Sequence, residues 1–145
     1  MLDKWDRRFV ELARHFAEWS KDPVCKVGSV IVDSNRIVRS HGYNGFPRGV
    51  RDDMARYSEK MVKHKFVVHA EANAILNAKD LSGSLTLYAT KFPCTECVKM
   101  ILQVGIDRVV APHQPVIIGH YDGEDSVFAR TMFEEASVEL EEFSA

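Results

Sequence analysis

His69-Ala70-Glu71 and, further along, Pro93-Cys94-Thr95-Glu96-Cys97 decide how this chain is read. One imidazole and two thiols form a donor set suited to zinc. Three protein ligands leave a fourth position open to water, as a catalytic metal requires and a closed structural site lacks. Glu71 stands two residues beyond His69 and is read as the acid–base group, not as a ligand. Its carboxylate can take a proton from water whose pKa the metal lowers toward ~7, then pass protons to a substrate. Each half alone is weak, since C-x-x-C also marks redox motifs and half of many structural zinc sites. The combination is specific, provided that each half falls on the right element.

The flanking sequence supplies that context. His69 to Lys79 is alanine-rich and helix-forming until Asp80-Leu81-Ser82-Gly83 breaks it, so His69 and Glu71 sit at a helix start. Leu85 to Thr90 reads as a buried strand. Pro93 then opens a helix that runs to about Val104 and is closed by Gly105, with Cys94 and Cys97 on its first turn. There the helix dipole and free N–H groups favour thiolates.

Upstream, apolar residues from Trp5 to Ala17 recur at helical spacing, which predicts a helix over Lys4 to Trp19 ended by Asp22-Pro23. Val27 to Val32 and Ile37 to Ser40 read as a hairpin around Asp33-Ser34-Asn35. Residues 42 to 65 form the longest irregular segment, helical in part, and Gly42-Tyr43-Asn44-Gly45 reads as a turn whose glycines and asparagine tolerate positive φ. Downstream come a strand at Arg108 to Ala111, a helix from about Asp125 to Ala136, and a strand at Val138 to Phe143. This alternation implies an α/β class, one domain over residues 1–145, with helices on a mixed sheet.

A chain of 145 residues with 46% hydrophobic content suffices for one core without disulfide staples. Three cysteines make no complete disulfide framework, which predicts a reducing cytoplasm, a host's if the source is viral. No ~18-residue apolar run suggests a membrane span. A net charge of −2 and a pI near 6.3 argue against a polynucleotide partner. A single phosphate could still be met by local cations such as Lys21, Lys26, Arg48 and Arg51.

H-x-E followed by P-C-x-x-C is the pattern of zinc deaminases that act on nucleobases, and the chain resembles the cytidine deaminase superfamily. Ser20-Lys21-Asp22-Pro23, Val27-Gly28, Gly42-Tyr43-Asn44-Gly45-Phe46-Pro47, His69-Ala70-Glu71-Ala72-Asn73-Ala74-Ile75 and Phe92-Pro93-Cys94-Thr95-Glu96-Cys97 look, in order and spacing, like deoxycytidylate deaminases. The resemblance implies a three-layer α/β/α fold with a central mixed five-stranded sheet, and hydrolysis of dCMP to dUMP and ammonia as a supply for thymidylate synthesis. It implies that His69, Cys94 and Cys97 bind Zn²⁺, that Glu71 moves protons, and that Asn73 contacts the substrate sugar. Without it, Asn73 is a polar residue of an early helical turn. Lys21 and Tyr121 are the other substrate candidates, Tyr121 as a cover over base or sugar, although packing explains Tyr121 equally well.

The same resemblance gives the Gly42–Gly49 segment a second role, a regulatory nucleotide site in a hexamer activated by dCTP and inhibited by dTTP. Tyr43, Asn44, Gly45 and Arg48 are its candidates, with Mg²⁺ as a companion of the triphosphate. Some phage relatives carry extra cysteines near the positions of Asp22 and Asp52 and hold a second zinc; carboxylates here imply a single one. Cys25 reads as a small buried residue, and His113 and His120 receive no metal role. The alternatives are deamination of another nucleotide, a nucleoside, guanine, a riboflavin precursor or a tRNA base, or a catalytically silent nucleotide-binding regulator. Short nucleoside deaminases usually carry Cys where His69 stands, and tRNA-editing relatives are more basic.

Overall fold

A computed structural model describes residues 1–145. Its elements in order are α1 (Lys4–Ala17), β1 (Gly28–Asp33), β2 (Val38–Tyr43), α2 (Met54–Ser58), α3 (Lys60–Phe66), α4 (Ala70–Asn77), β3 (Leu85–Ala89), α5 (Thr95–Gln103), β4 (Arg108–Pro112), α6 (Tyr121–Glu135) and β5 (Glu139–Phe143). The five strands form one sheet in the order β2-β1-β3-β4-β5. β1 is antiparallel to β2 and β3, whereas β3, β4 and β5 run parallel. The sheet is therefore mixed, as the alternating pattern predicts.

Strand alternation divides the core into two layers. Val30, Val32, Tyr88 and Val110 face α1 and meet Phe9, Val10 and Ala13. Ile31, Leu85, Leu87, Ala89, Val109 and Ala111 face the other way, against Ala74 of α4, Val98 and Ile101 of α5, and Ala129 and Phe133 of α6. One helix thus covers one face and three cover the other. No helix is long and apolar enough to cross a membrane.

Several element ends differ from the sequence reading. α1 stops at Ala17 and leaves Trp19 half exposed, because Trp19 packs edge-on against Phe16 and Tyr43 instead of entering the core. β2 extends to Tyr43, so Gly42 and Tyr43 are paired strand residues opposite Ser29 and Gly28, not parts of a turn. The turn lies further on at Pro47–Val50, closed by Val50 N–H to Pro47 O (3.0 Å), with Gly49 at φ 83°. Gly42 serves a close approach: a Cβ there would lie 2.3 Å from the Ala70 carbonyl oxygen. Its bare backbone lets the first turn of α4 settle on β2. α6 starts at Tyr121, four residues before the predicted Asp125, so His120 is its N-cap and Tyr121 its first residue.

Candidate active site

Two helix starts converge on one point. His69 is the N-cap of α4 and Cys94 the N-cap of α5, and neither side chain caps its own helix. The imidazole Nδ1 of His69 lies 3.4 Å from the Cys94 sulfur and 3.4 Å from the Cys97 sulfur. The three donor atoms fall within 4.8 Å of one another. Tetrahedral zinc, with bonds of ~2.3 Å to sulfur and ~2.0–2.1 Å to nitrogen, sets nitrogen and sulfur about 3.5 Å apart. Both nitrogen–sulfur distances match that geometry.

Its electrostatics suit a cation. The Cys94 thiol is depressed to about 4, chiefly by a hydrogen bond from the Cys97 thiol, with a further contribution from the His69 ring. Cys97 is pushed up because the Cys94 sulfur takes its proton as a hydrogen bond and because it is buried. One thiolate thus draws on protons that a divalent metal would replace, and the positive ends of both helices favour the resulting negative charge. Glu71 is buried, 4% exposed, in the first turn of α4. Burial raises its carboxyl above the ordinary range, against the pull of a backbone hydrogen bond and of the nearby His69. Burial thus favours the protonated form of this carboxyl, the direction that suits an acid–base group.

Residues 3–112 match the family model described as the cytidine and deoxycytidylate deaminase zinc-binding region. The chain belongs to this deaminase family. It is 36% identical to human deoxycytidylate deaminase, over 97% of this chain and 80% of that protein. It is 43% identical to an Aliivibrio fischeri protein described as an uncharacterised deaminase in the luxG 3′ region, over 97% of this chain and 94% of that one. Among solved structures it is similar to the dCMP deaminase of cyanophage S-TIM5 in complex with dCMP and dUMP, with a TM-score of 0.78, 25% identity and 99% coverage of each chain. The α/β fold is that of the cytidine deaminases, and the chain is a hydrolase of their zinc type.

The other sequence candidates of the deaminase lie on several elements. Asn73 lies one turn after His69, and its Nδ2 donates to the Tyr43 carbonyl (2.8 Å), tying α4 to the end of β2. Tyr121, at the start of α6, is largely exposed and makes no side-chain hydrogen bond. Lys21 is elsewhere: with Tyr43, Asn44, Gly45, Arg48 and Tyr57 it lines a pocket of about 220 Å³ that includes none of the three candidate ligands. Lys21 pairs there with Asp52 (2.7 Å), and Arg48 donates to Asn77 (3.0 Å).

Asn44 in the deaminase is 6% exposed and structurally committed. Its Oδ1 accepts from Val27 N–H (2.9 Å) and its Nδ2 donates to the Cys25 carbonyl (2.8 Å). The backbone N–H groups of Asn44 and Gly45 donate to Val27 O and Val68 O, so this segment does not offer the free N–H nest that its glycines suggest. Asp22 is fully buried, accepts from the Val24 and Cys25 N–H groups, and meets the Lys63 ammonium at 2.6 Å. Cys25 is half-buried.

Two residues near the site escaped sequence reasoning. Asp125 accepts from both the N–H and the hydroxyl of Thr95, each at 2.9 Å. Lys91 meets Asp122 at 3.3 Å and lies close enough for its charge to act on His69. Neither contact carries a sequence signature, because one joins α6 to the first residue of α5 and the other joins it to the preceding loop, each some 30 residues away.

Proposed function

We propose that the protein hydrolyses the 4-amino group of dCMP to give dUMP and ammonia, with His69, Cys94 and Cys97 holding Zn²⁺ and Glu71 as the proton carrier. The observation that carries this reading is the buried Glu71 beside a three-donor cluster of zinc dimensions. When bound, zinc supplies the Lewis acidity that makes water a nucleophile near neutral pH. Glu71 takes the proton released as the C4–O bond forms. It passes that proton to the ring nitrogen, then takes the remaining proton of the hydroxyl on C4 and delivers it to the amino group as the C4–N bond breaks, so one carboxyl serves as base and acid in turn. Asn73 is the candidate for the deoxyribose and Tyr121 for covering the base.

The choice of a mononucleotide rests on similarity to deoxycytidylate deaminases and to a structure that contains dCMP and dUMP. Ammonia release from dCMP, CMP, deoxycytidine and a tRNA fragment by zinc-loaded protein tests it. dCMP is expected to surpass deoxycytidine in kcat/KM, because a phosphate can engage charge-assisted donors that a nucleoside leaves unpaired. Equal values for the two reject the mononucleotide reading, and no release from any of them favours the silent regulator.

Regulation by dCTP and dTTP in a homo-oligomer, a hexamer in the family pattern, belongs to the same proposal. The pocket with Lys21, Tyr43 and Arg48 is its candidate site, with Mg²⁺ bridging the phosphates. Lys21, read from the sequence as a substrate residue, lines this pocket, which makes it a candidate for the triphosphate as well. Opposite effects of the two triphosphates would need two protein states with different affinities for each. Substrate curves recorded with and without each triphosphate, together with the mass in solution, test this part.

A further inference from the structure

We propose that Asp125 is the positioning residue of the metal-binding loop: from the first turns of α6 it supplies the N-terminal cap that Cys94, occupied as a ligand, cannot give to α5. The proposal rests on the reading of His69, Cys94 and Cys97 as zinc ligands.

A helix normally begins with a side chain that accepts from its first free N–H groups. Cys94 occupies that position on α5 and makes no such bond, since its sulfur points at His69. Asp125 fills the role from another helix. Its Oδ2 accepts from Thr95 N–H at 2.9 Å, and its Oδ1 accepts from the Thr95 hydroxyl at 2.9 Å. Both oxygens therefore hold one residue, which is peptide-bonded to Cys94, and they fix its orientation as well as its place. The carboxylate also sits at the positive end of α5, where a negative charge is favourable.

The rest of the loop explains why such a tie matters. Thr90 still bonds its N–H to Gly28 O, but Lys91, Phe92 and Pro93 make no backbone–backbone hydrogen bond. Phe92 and Pro93 are buried, which seats the loop against the core by packing alone. On the other side of the cluster, Val68 and Gly45 exchange two backbone hydrogen bonds, 2.7 and 3.1 Å, just ahead of His69. The His69 flank thus has a backbone anchor, and Asp125 provides the matching anchor for the Cys94 flank. α6 can bear this load because Ala129 and Phe133 seat it in the core. One turn earlier, Asp122 reaches Lys91, but both partners are nearly half exposed and such a pair contributes little.

The test uses the full-length zinc-loaded protein and compares Asp125→Ala, Asp125→Asn and Asp122→Ala. Zinc affinity is read by competition with a chromogenic chelator, beside the melting temperature under zinc saturation. Asp125→Ala is expected to weaken zinc by about 10- to 100-fold, the usual effect of removing a group that orients a ligand. Asn can accept from the Thr95 N–H and donate to its hydroxyl, so Asp125→Asn is expected to recover most of that loss. Asp122→Ala is expected to match the parent. Parental zinc affinity in Asp125→Ala overturns the cap alone, whereas a parent that binds no zinc overturns the ligand reading with it. A loss in Asp125→Asn equal to that in Asp125→Ala, or an equal loss in Asp122→Ala, also rejects the hydrogen-bonded cap. If Asp125→Ala does not fold, the Asn variant together with Thr95→Val decides. Thr95→Val removes one of the two bonds and is expected to give a smaller loss in the same direction; no loss in it overturns the cap.

Discussion

The Asp6 carboxylate and the Arg108 guanidinium meet with two arms, Oδ1 to Nη1 at 2.8 Å and Oδ2 to Nη2 at 3.0 Å, and join α1 to β4 across 102 positions of sequence. The Tyr88 hydroxyl also donates to Asp6 Oδ1 (2.8 Å), in a setting where Asp6 is 4% exposed. The Arg108 hydrogen bond is the main cause that holds the Asp6 carboxyl below its ordinary 3.8, against burial, which acts the other way. A folded pKa below the unfolded one gives stability that is fully present above pH 3.8 and is lost as pH falls through the lowered value. Arg108→Met should cost ~3–5 kcal/mol near neutral pH by leaving a buried charge unpaired. Burial then prevails and Asp6 titrates higher, so the gap from the parent should narrow as pH falls toward 4. Urea unfolding at a series of pH values measures it, and a gap independent of pH would show that Asp6 is not the group involved.

Glu71→Gln should keep the fold and bind zinc, since the carboxylate is outside the ligand set, yet lose at least ~10²- to 10⁴-fold in dCMP turnover. Metal analysis and single-turnover assays on the same preparation separate the two effects. Loss of zinc in this variant would make Glu71 part of the metal site.

One zinc per chain is the expected stoichiometry. His69, Cys94 and Cys97 form one compact donor group, while Asp22 is engaged by Lys63 and Asp52 by Lys21. Cys97→Ala should abolish tight zinc binding and lower the melting temperature of the zinc-supplemented protein, because the metal binds the folded state preferentially. Two tightly held ions per parent chain would contradict the assignment.

Gly42→Ala probes how α4 is seated. An added methyl would press on the Ala70 carbonyl and on the Ala74 N–H, 2.3 and 2.5 Å away, both backbone atoms that cannot rotate aside. A loss of ~1–3 kcal/mol is expected, as for an overpacked core, with weaker zinc binding as His69 moves with the helix. Chemical unfolding and chelator competition should change together; unchanged stability would mean that α4 yields freely.

In the second pocket, Arg48→Ala and Lys21→Ala remove exposed cations and should weaken triphosphate effects on the substrate curve while leaving zinc content and stability near the parent's. Asn44→Ala should instead destabilise the fold by ~1–3 kcal/mol, since it strands the Val27 N–H and the Cys25 carbonyl in a buried setting. Thermal melts read alongside effector titrations distinguish the two. A fully stable Asn44→Ala variant would return Asn44 to the list of direct contacts.

The sequence alone determined the chemistry of the centre and the class of fold. An imidazole, two thiols and a carboxylate at fixed short spacings are local properties, and so are the helical and strand periodicities that placed them on helix starts behind a buried strand. Tertiary structure decided what local pattern could not encode. Gly42 and Asn44 look like turn residues in isolation. Pairing with β1 makes the first a strand residue that admits α4, and contacts to Val27 and Cys25 make the second a buried brace. Lys21 has the charge for a substrate phosphate, but chain packing placed it in the second pocket. Asp125 showed no signal at all, because a carboxylate gains a role at the metal loop only when α6 is folded against α5. Hydrogen bonds between elements distant in sequence are fixed by packing of the core, and no spacing along the chain records them.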